Sequence, residues 1–115
     1  MTVVTVEKDA RGVRGIRVSG HAGYAESGRD VVCAAASVLI TTCANALESV
    51  AGVKPNLFQS EQGATITVAL PGNMSAQKQH DAEIVMNTVL QGFSDIASEY
   101  PDYLQIKLMG RTSSC

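Results

Sequence analysis

Two hydrophobic rhythms alternate along this chain. Residues 2–7 are short and β-branched, and predict a strand. Asp9, Ala10, Arg11 and Gly12 follow as a turn, because Asp and Gly tolerate tight backbone geometry. Across residues 13–19, Ile16 and Val18 fall on one face and Arg17 and Ser19 on the other, which completes a hairpin. Residues 20–29 carry Gly20, Gly23 and Gly28 and predict a loop. The period then changes. From residue 31 to about residue 51, Val32, Ala36, Leu39, Cys43, Leu47 and Val50 recur at steps of 4, 3, 4, 4 and 3, the mark of a helix with one apolar stripe. Gly52 ends it and Pro55 follows, as helix stops often do.

The second half repeats the order. Residues 57–60 and 64–70 flank Glu61, Gln62 and Gly63. Ile66, Val68 and Leu70 alternate with Thr65, Thr67 and Ala69, so this is a second hairpin, closed off by Pro71 and Gly72. A second helix starts between residues 73 and 75, with Ala82, Met86, Val89, Phe93, Ile96 and Tyr100 on its stripe. Gly92 inside it costs about 1 kcal/mol relative to Ala, which suggests close packing there. Pro101 stops the helix, and Leu104, Ile106 and Leu108 alternate with Gln105 and Lys107 in a last strand. The order ββα-ββα-β predicts a two-layer α+β fold, with two helices on one face of a mostly antiparallel sheet. One domain covers residues 1–110, and residues 111–115 form a polar tail. The two halves share no convincing sequence repeat.

Composition narrows the function. The chain has 115 residues, 45% apolar and 17% charged, which suits a single folded domain rather than a disordered one. A net charge of −2, with aromatics at 4% and no Trp, argues against direct nucleic-acid binding. No uninterrupted apolar run reaches the length of about 18 residues that a membrane span needs. The N-terminus has neither the basic region nor the apolar stretch of a secretory signal. Three cysteines, an odd number, then read as reduced thiols in a cytoplasmic protein. Cys33 and Cys43 share one helix about 15 Å apart and cannot pair. No Cys-x-x-Cys occurs, and His21 and His80 lack a second soft ligand at finger spacing, so no zinc site is expected.

The chemistry concentrates between residues 20 and 37, where a Gly-rich loop holds His21 and leads to Asp30 and Cys33. Asp30 precedes the apolar stripe and is expected to be the helix N-cap. Cys33 is then the third helical residue, in a first turn whose free N–H groups and dipole favour a thiolate. His21 ends the preceding strand, and a loop folding back brings an imidazole to a thiol as its base. The same N–H groups could hold an oxyanion. Together these give acyl transfer, most simply peptide hydrolysis.

Plainer readings stand beside this one. A helical cysteine is commonly core. Cys33 lies off the main stripe, whereas Cys43 lies on it and is assigned to the core. Cys115 is a tail thiol. His21 suits a turn as well as a catalytic loop. Asp30 is either a cap alone or also the group that orients His21. Ser37, one turn after Cys33, either bonds within the site or back-bonds to its helix. His80 and Glu83 are expected in solvent. A nucleotide site lacks its glycine and lysine pattern, and a Cys-dependent phosphatase lacks an Arg after Cys33.

Gly20-His21-Ala22, the stretch Tyr24-Ala25-Glu26, Gly28, and the run Asp30-Val31-Val32-Cys33-Ala34-Ala35-Ala36-Ser37 resemble the ribosomal-processing cysteine protease family, as does Tyr100-Pro101 before a short strand. The resemblance covers nearly the whole chain. One departure is Ala36, where many members carry Val. It implies that His21 and Cys33 are catalytic and that Asp30 and Ser37 support them. The loop bearing Gly20, Gly23, Tyr24 and Gly28 would order over substrate. The substrate would be the N-terminal segment of a large-subunit ribosomal protein precursor, whose extension is removed after an aromatic-rich stretch. The resemblance also implies a homodimer and no cofactor. The competing reading is a non-catalytic ribosome-associated binding module.

Overall fold

The structure, a computed structural model, describes residues 1–20, 27–60 and 65–110, with the backbone alone described for 27–30. The elements are β1 (Thr2–Asp9), β2 (Gly12–Ser19), α1 (Ser27–Ser49), β3 (Asn56–Gln59), β4 (Thr65–Ala69), α2 (Ala76–Glu99) and β5 (Leu104–Gly110). They form one five-stranded sheet in the order β3-β4-β2-β1-β5. Every neighbouring pair is antiparallel except β1 and β5, which run parallel. That exception follows from the chain order, since β5 returns only after α2 has crossed over the sheet. The expected two-layer α+β fold is present.

Period-two burial builds the sheet's inner face. Thr2, Val4 and Val6 of β1 are buried, and Val3, Thr5 and Glu7 between them are half-exposed. In β2 this alternation breaks. A bulge between Glu7 and Lys8 of β1 pairs Glu7 with Gly15 and Lys8 with Val13, which leaves Arg14 as the extra residue. Val13, Arg14, Gly15 and Ile16 are consequently buried in succession. The Arg14 guanidinium donates to Gln79 Oε1 at 2.7 Å and to the Pro71 carbonyl at 3.1 Å, and lies 3.9 Å from the Asp9 carboxylate. A buried arginine on a strand had no warning in the hydropathy pattern.

Helix α1 starts earlier than its apolar stripe. The sequence places residues 20–29 in a loop and Asp30 at the cap, but the helix already begins at Ser27. Gly28 and Asp30 are therefore helical, and Asp30 is not the N-cap. Val32, Ala36, Cys43 and Leu47 are buried as the stripe predicts, Ile40 joins them, and Val50, just past the last helical residue, is exposed. Gly52 terminates α1 in the left-handed region (φ +67°), where its N–H donates to the Glu48 carbonyl and the Val53 N–H donates to Leu47. Val31–Ser49 has a mean hydropathy of 1.6 and is long and apolar enough to cross a membrane, although no unbroken apolar run revealed this. Its inward residues pack on the sheet, which is the behaviour of a core helix.

Helix α2 is capped by Ser75, whose Oγ accepts from the Lys78 N–H. Ala82, Met86, Val89 and Phe93 are buried, as their spacing predicts. Gly92 lies against Leu39 of α1, where a Cβ would come 3.0 Å from the leucine methyls. The glycine thus lets the two helices approach. Glu83, expected in solvent, is half-buried with its carboxylate over Gly12. Strand β5 continues through Gly110, two residues beyond the alternation that ends at Leu108.

Candidate active site

Cys33 stands where three strands meet α1. It is the seventh residue of the helix, in the second turn rather than at the third position. This corrects the first-turn expectation. The free amide groups at the start of a helix are its first four, here those of residues 27–30. The dipole's influence fades within the first turn. The helix terminus is therefore offset from the thiol by about a turn, and the expected first-turn oxyanion donors are offset with it.

The surroundings of the thiol come from opposite ends of the sequence. Cys33 is half-buried, and its Sγ lies 3.8 Å from the Thr2 hydroxyl. Thr2 is itself 1% exposed and held at the start of β1 by its N–H, which donates to the Tyr103 carbonyl at 2.9 Å. A cavity of about 40 Å³ beside the sulfur is lined by Thr2, Val18, Ala36, Ser37, Ile40 and Ile66. Ser37 therefore shares this cavity with Cys33, as its one-turn spacing predicts. Thr2 was missed by sequence reasoning. Its only signal was its place two residues before Val4 on the inward face of β1.

The chain leaves β2 toward His21 at the same corner. Gly20 adopts φ +84°, and a Cβ on it would fall 2.5 Å from the Met1 carbonyl oxygen. Met1 precedes Thr2, and Thr2 touches Cys33. Gly20, the last described residue before His21, thus lies beside the start of the strand that contacts the thiol. We expect Gly20→Ala to lower unfolding free energy by about 1–2 kcal/mol, from backbone strain and displacement of β1. Urea denaturation measures this, and an unchanged midpoint would show that the corner tolerates a side chain.

His21, Gly23, Tyr24 and Cys115 lie outside the described residues, as do the side chains of Gly28's neighbours up to Asp30. His80 is exposed on α2, with Nδ1 3.2 Å from the Asp81 carboxylate, and takes no part in lining the cavity. Among the described residues no group of His, Cys, Asp and Glu could hold a metal ion.

Cys43 is buried where Cys33 is half-buried. It is fully buried and its thiol donates to Met86 Sδ at 3.5 Å. Desolvation pushes the Cys43 thiol up to about 11. Iodoacetamide should therefore modify Cys33 well before Cys43 in the folded chain. The raised value also links stability to pH. An unfolded-chain thiol ionises near 9.0 while the folded one keeps its proton, so the unfolded state binds fewer protons above that point. Stability attributable to Cys43 is intact below the unfolded value and falls as pH rises toward the folded one, by about 2–3 kcal/mol in all. Urea midpoints across that range should drop in the parent and much less in Cys43→Ala.

The family model for the cysteine protease Prp matches residues 1–105. The chain belongs to the Prp family of cysteine proteases. Among curated Prp relatives, the ribosomal processing cysteine protease Prp of Bacillus subtilis is 26% identical over 96 residues, covering 84% of this chain and 86% of that protein. Its Staphylococcus aureus namesake is 25% identical over 107 residues, covering 92% and 96%. The crystal structure of SMU.848 from Streptococcus mutans matches with a TM-score of 0.85 at 27% identity, over 96% of each chain. The structure of the S. aureus ribosomal processing protease Prp in complex with a substrate peptide shares the fold, with a TM-score of 0.82 at 23% identity, over 95% of this chain and all of that one.

Proposed function

We infer that this chain is a cysteine endopeptidase in which His21 and Cys33 form the catalytic dyad. Its substrate is the precursor of a large-subunit ribosomal protein, from which it removes the N-terminal extension. The observation that supports this reading is the corner where Gly20, the last described residue before His21, lies against Met1, and Thr2 beside it contacts the Cys33 thiol. Family membership supplies the nucleophile's chemistry, and the relatives' names supply the substrate class.

The reaction needs one base and one nucleophile. His21 takes the Cys33 proton, and the thiolate attacks the peptide carbonyl. The tetrahedral intermediate collapses as the amine leaves with the proton from His21. Water, activated by the same imidazole, then hydrolyses the thioester. Ser37 faces the cavity and can hydrogen-bond there, while Asp30, helical rather than capping, is left as an orienting group. The Gly-rich loop covers the bound peptide.

The enzyme works in the cytoplasm as a homodimer. In support of a dimer, α1 carries no charged residue from Val31 until Glu48, and Val31 and Val38 on it are 52% and 64% exposed. A mildly acidic enzyme also suits a basic ribosomal client. The test is incubation with a peptide copying the precursor's N-terminal segment, followed by mass spectrometry. One cleavage leaving two fragments supports the reading. Tight binding with unchanged peptide mass would support a binding module instead.

A further inference from the structure

Thr2 is the polar member of an otherwise apolar row. Thr2, Val4 and Val6 of β1 are all buried on the inner face, and a valine, equally β-branched, would fill nearly the same space at the first of them. A hydroxyl at 1% exposure is destabilising unless it is hydrogen-bonded. Among the described residues its partner is the Cys33 sulfur, 3.8 Å away. Ser37, the other hydroxyl residue lining the cavity, is open to solvent. The remaining lining residues, Val18, Ala36, Ile40 and Ile66, bring no charge and no side-chain hydrogen bond to the sulfur. The backbone at Thr2 is fixed from both sides. Its N–H donates to the Tyr103 carbonyl at 2.9 Å, it pairs with Leu104 of β5, and the next residue, Val3, pairs with Ser19 of β2.

We propose that Thr2 is a positioning residue for the cysteine, whose hydroxyl donates to the sulfur once the thiol has lost its proton and so holds the thiolate in place for attack. The inference rests on the protease reading above and adds a residue to its machinery. A hydroxyl is both donor and acceptor, so turning one O–H lets it bond first the thiol and then the thiolate. The proton given up by the sulfur goes to His21 as before, and Thr2 keeps its own. A dipole already held at the atom where charge develops needs no rearrangement during the reaction. Burial keeps water from competing for that hydrogen bond and strengthens it.

Two substitutions separate the hydroxyl from the packing. Thr2→Val keeps the shape and removes the hydroxyl, whereas Thr2→Ser keeps the hydroxyl and removes the methyl. With the precursor's N-terminal peptide, Thr2→Val should lower kcat about tenfold with little change in KM, the loss expected for one hydrogen bond to a charged atom. Thr2→Ser should recover most of that rate. A packing role gives the reverse order, Thr2→Val near the parent and Thr2→Ser slower, and overturns the proposal. Rates are compared on chains shown to be folded by thermal melting. Should Thr2→Val unfold, Thr2→Ala takes its place, since it differs from Thr2→Ser by the hydroxyl alone. Alkylation of Cys33 by iodoacetamide near neutral pH reads the sulfur without substrate. It should slow about three- to tenfold in Thr2→Val and recover in Thr2→Ser, and the deficit should close in alkaline solution, where the thiol is ionised with or without the hydroxyl. A deficit that persists at every pH marks a structural disturbance and counts against the proposal. If alkylation follows the expected order but the parent chain never cleaves the peptide, the action of Thr2 on the sulfur stands and the protease assignment fails. If the parent cleaves and Thr2→Val matches it in turnover and alkylation, the role of Thr2 fails and the protease assignment stands.

Discussion

Cys33→Ala cleaves the precursor peptide at least about a thousandfold more slowly than the parent chain. The size of this effect follows from what the side chain does. In the proposed reaction the thiolate is the only atom that forms a covalent bond to the substrate, so its loss removes the pathway rather than slowing one step. Unfolding does not account for the loss. Cys33 is half-buried, and among the described residues its Sγ makes a 3.8 Å approach to the Thr2 hydroxyl. Truncation there costs about 1 kcal/mol, a small fraction of a domain's stability. Thermal melting and peptide affinity should be close to those of the parent, while single-turnover cleavage followed by mass spectrometry shows no product on the parent's timescale. Cleavage at the parent rate would remove Cys33 from the mechanism. Retained affinity with lost turnover also excludes a pure binding module, which predicts that nothing is cleaved by either chain.

The fold was largely legible because its signals are local. β-branched residues marked β1, alternation marked β4 and the first part of β5, and stripes of helical period marked α1 and α2. The failures have physical causes. Arg14 is buried because a bulge shifts the β1–β2 register by one residue, and such a shift leaves no trace in hydropathy. The start of α1 was misplaced because its first turn is not amphipathic. Ser27, Gly28, Arg29 and Asp30 look like a loop ending in a cap, yet they are helical. That error mattered most for the site, since it gave Cys33 a helix-terminus environment that belongs to residues about one turn earlier. The approach of Thr2 to Cys33 depends on a contact between distant segments, which no periodicity announces. Conversely, Cys43 could be assigned to the core from its stripe position alone, and it is fully buried.

The corrected position of Cys33 shifts the weight of activation onto His21. With the thiol a turn beyond the helix's free amides, the terminal dipole contributes little to ionising it. The base must then do most of that work. We expect His21→Ala to lower kcat by about 10²–10⁴-fold, the range a positioned general base contributes. KM should change little, because an imidazole that handles a proton contributes mainly to the transition state. A loop-structural role for His21 would give a different pattern, raising KM as the loop ceased to cover the peptide. Added imidazole separates the two further. Where the deleted side chain was a base, free imidazole restores rate in proportion to its concentration. Where it was a loop residue, imidazole has no effect. His21→Gln preserves size and hydrogen bonding but not basicity, so it should be as slow as His21→Ala. Were His21→Gln to cleave at the parent rate, the thiol would need another base, and the dyad assignment would fall even with Cys33 confirmed.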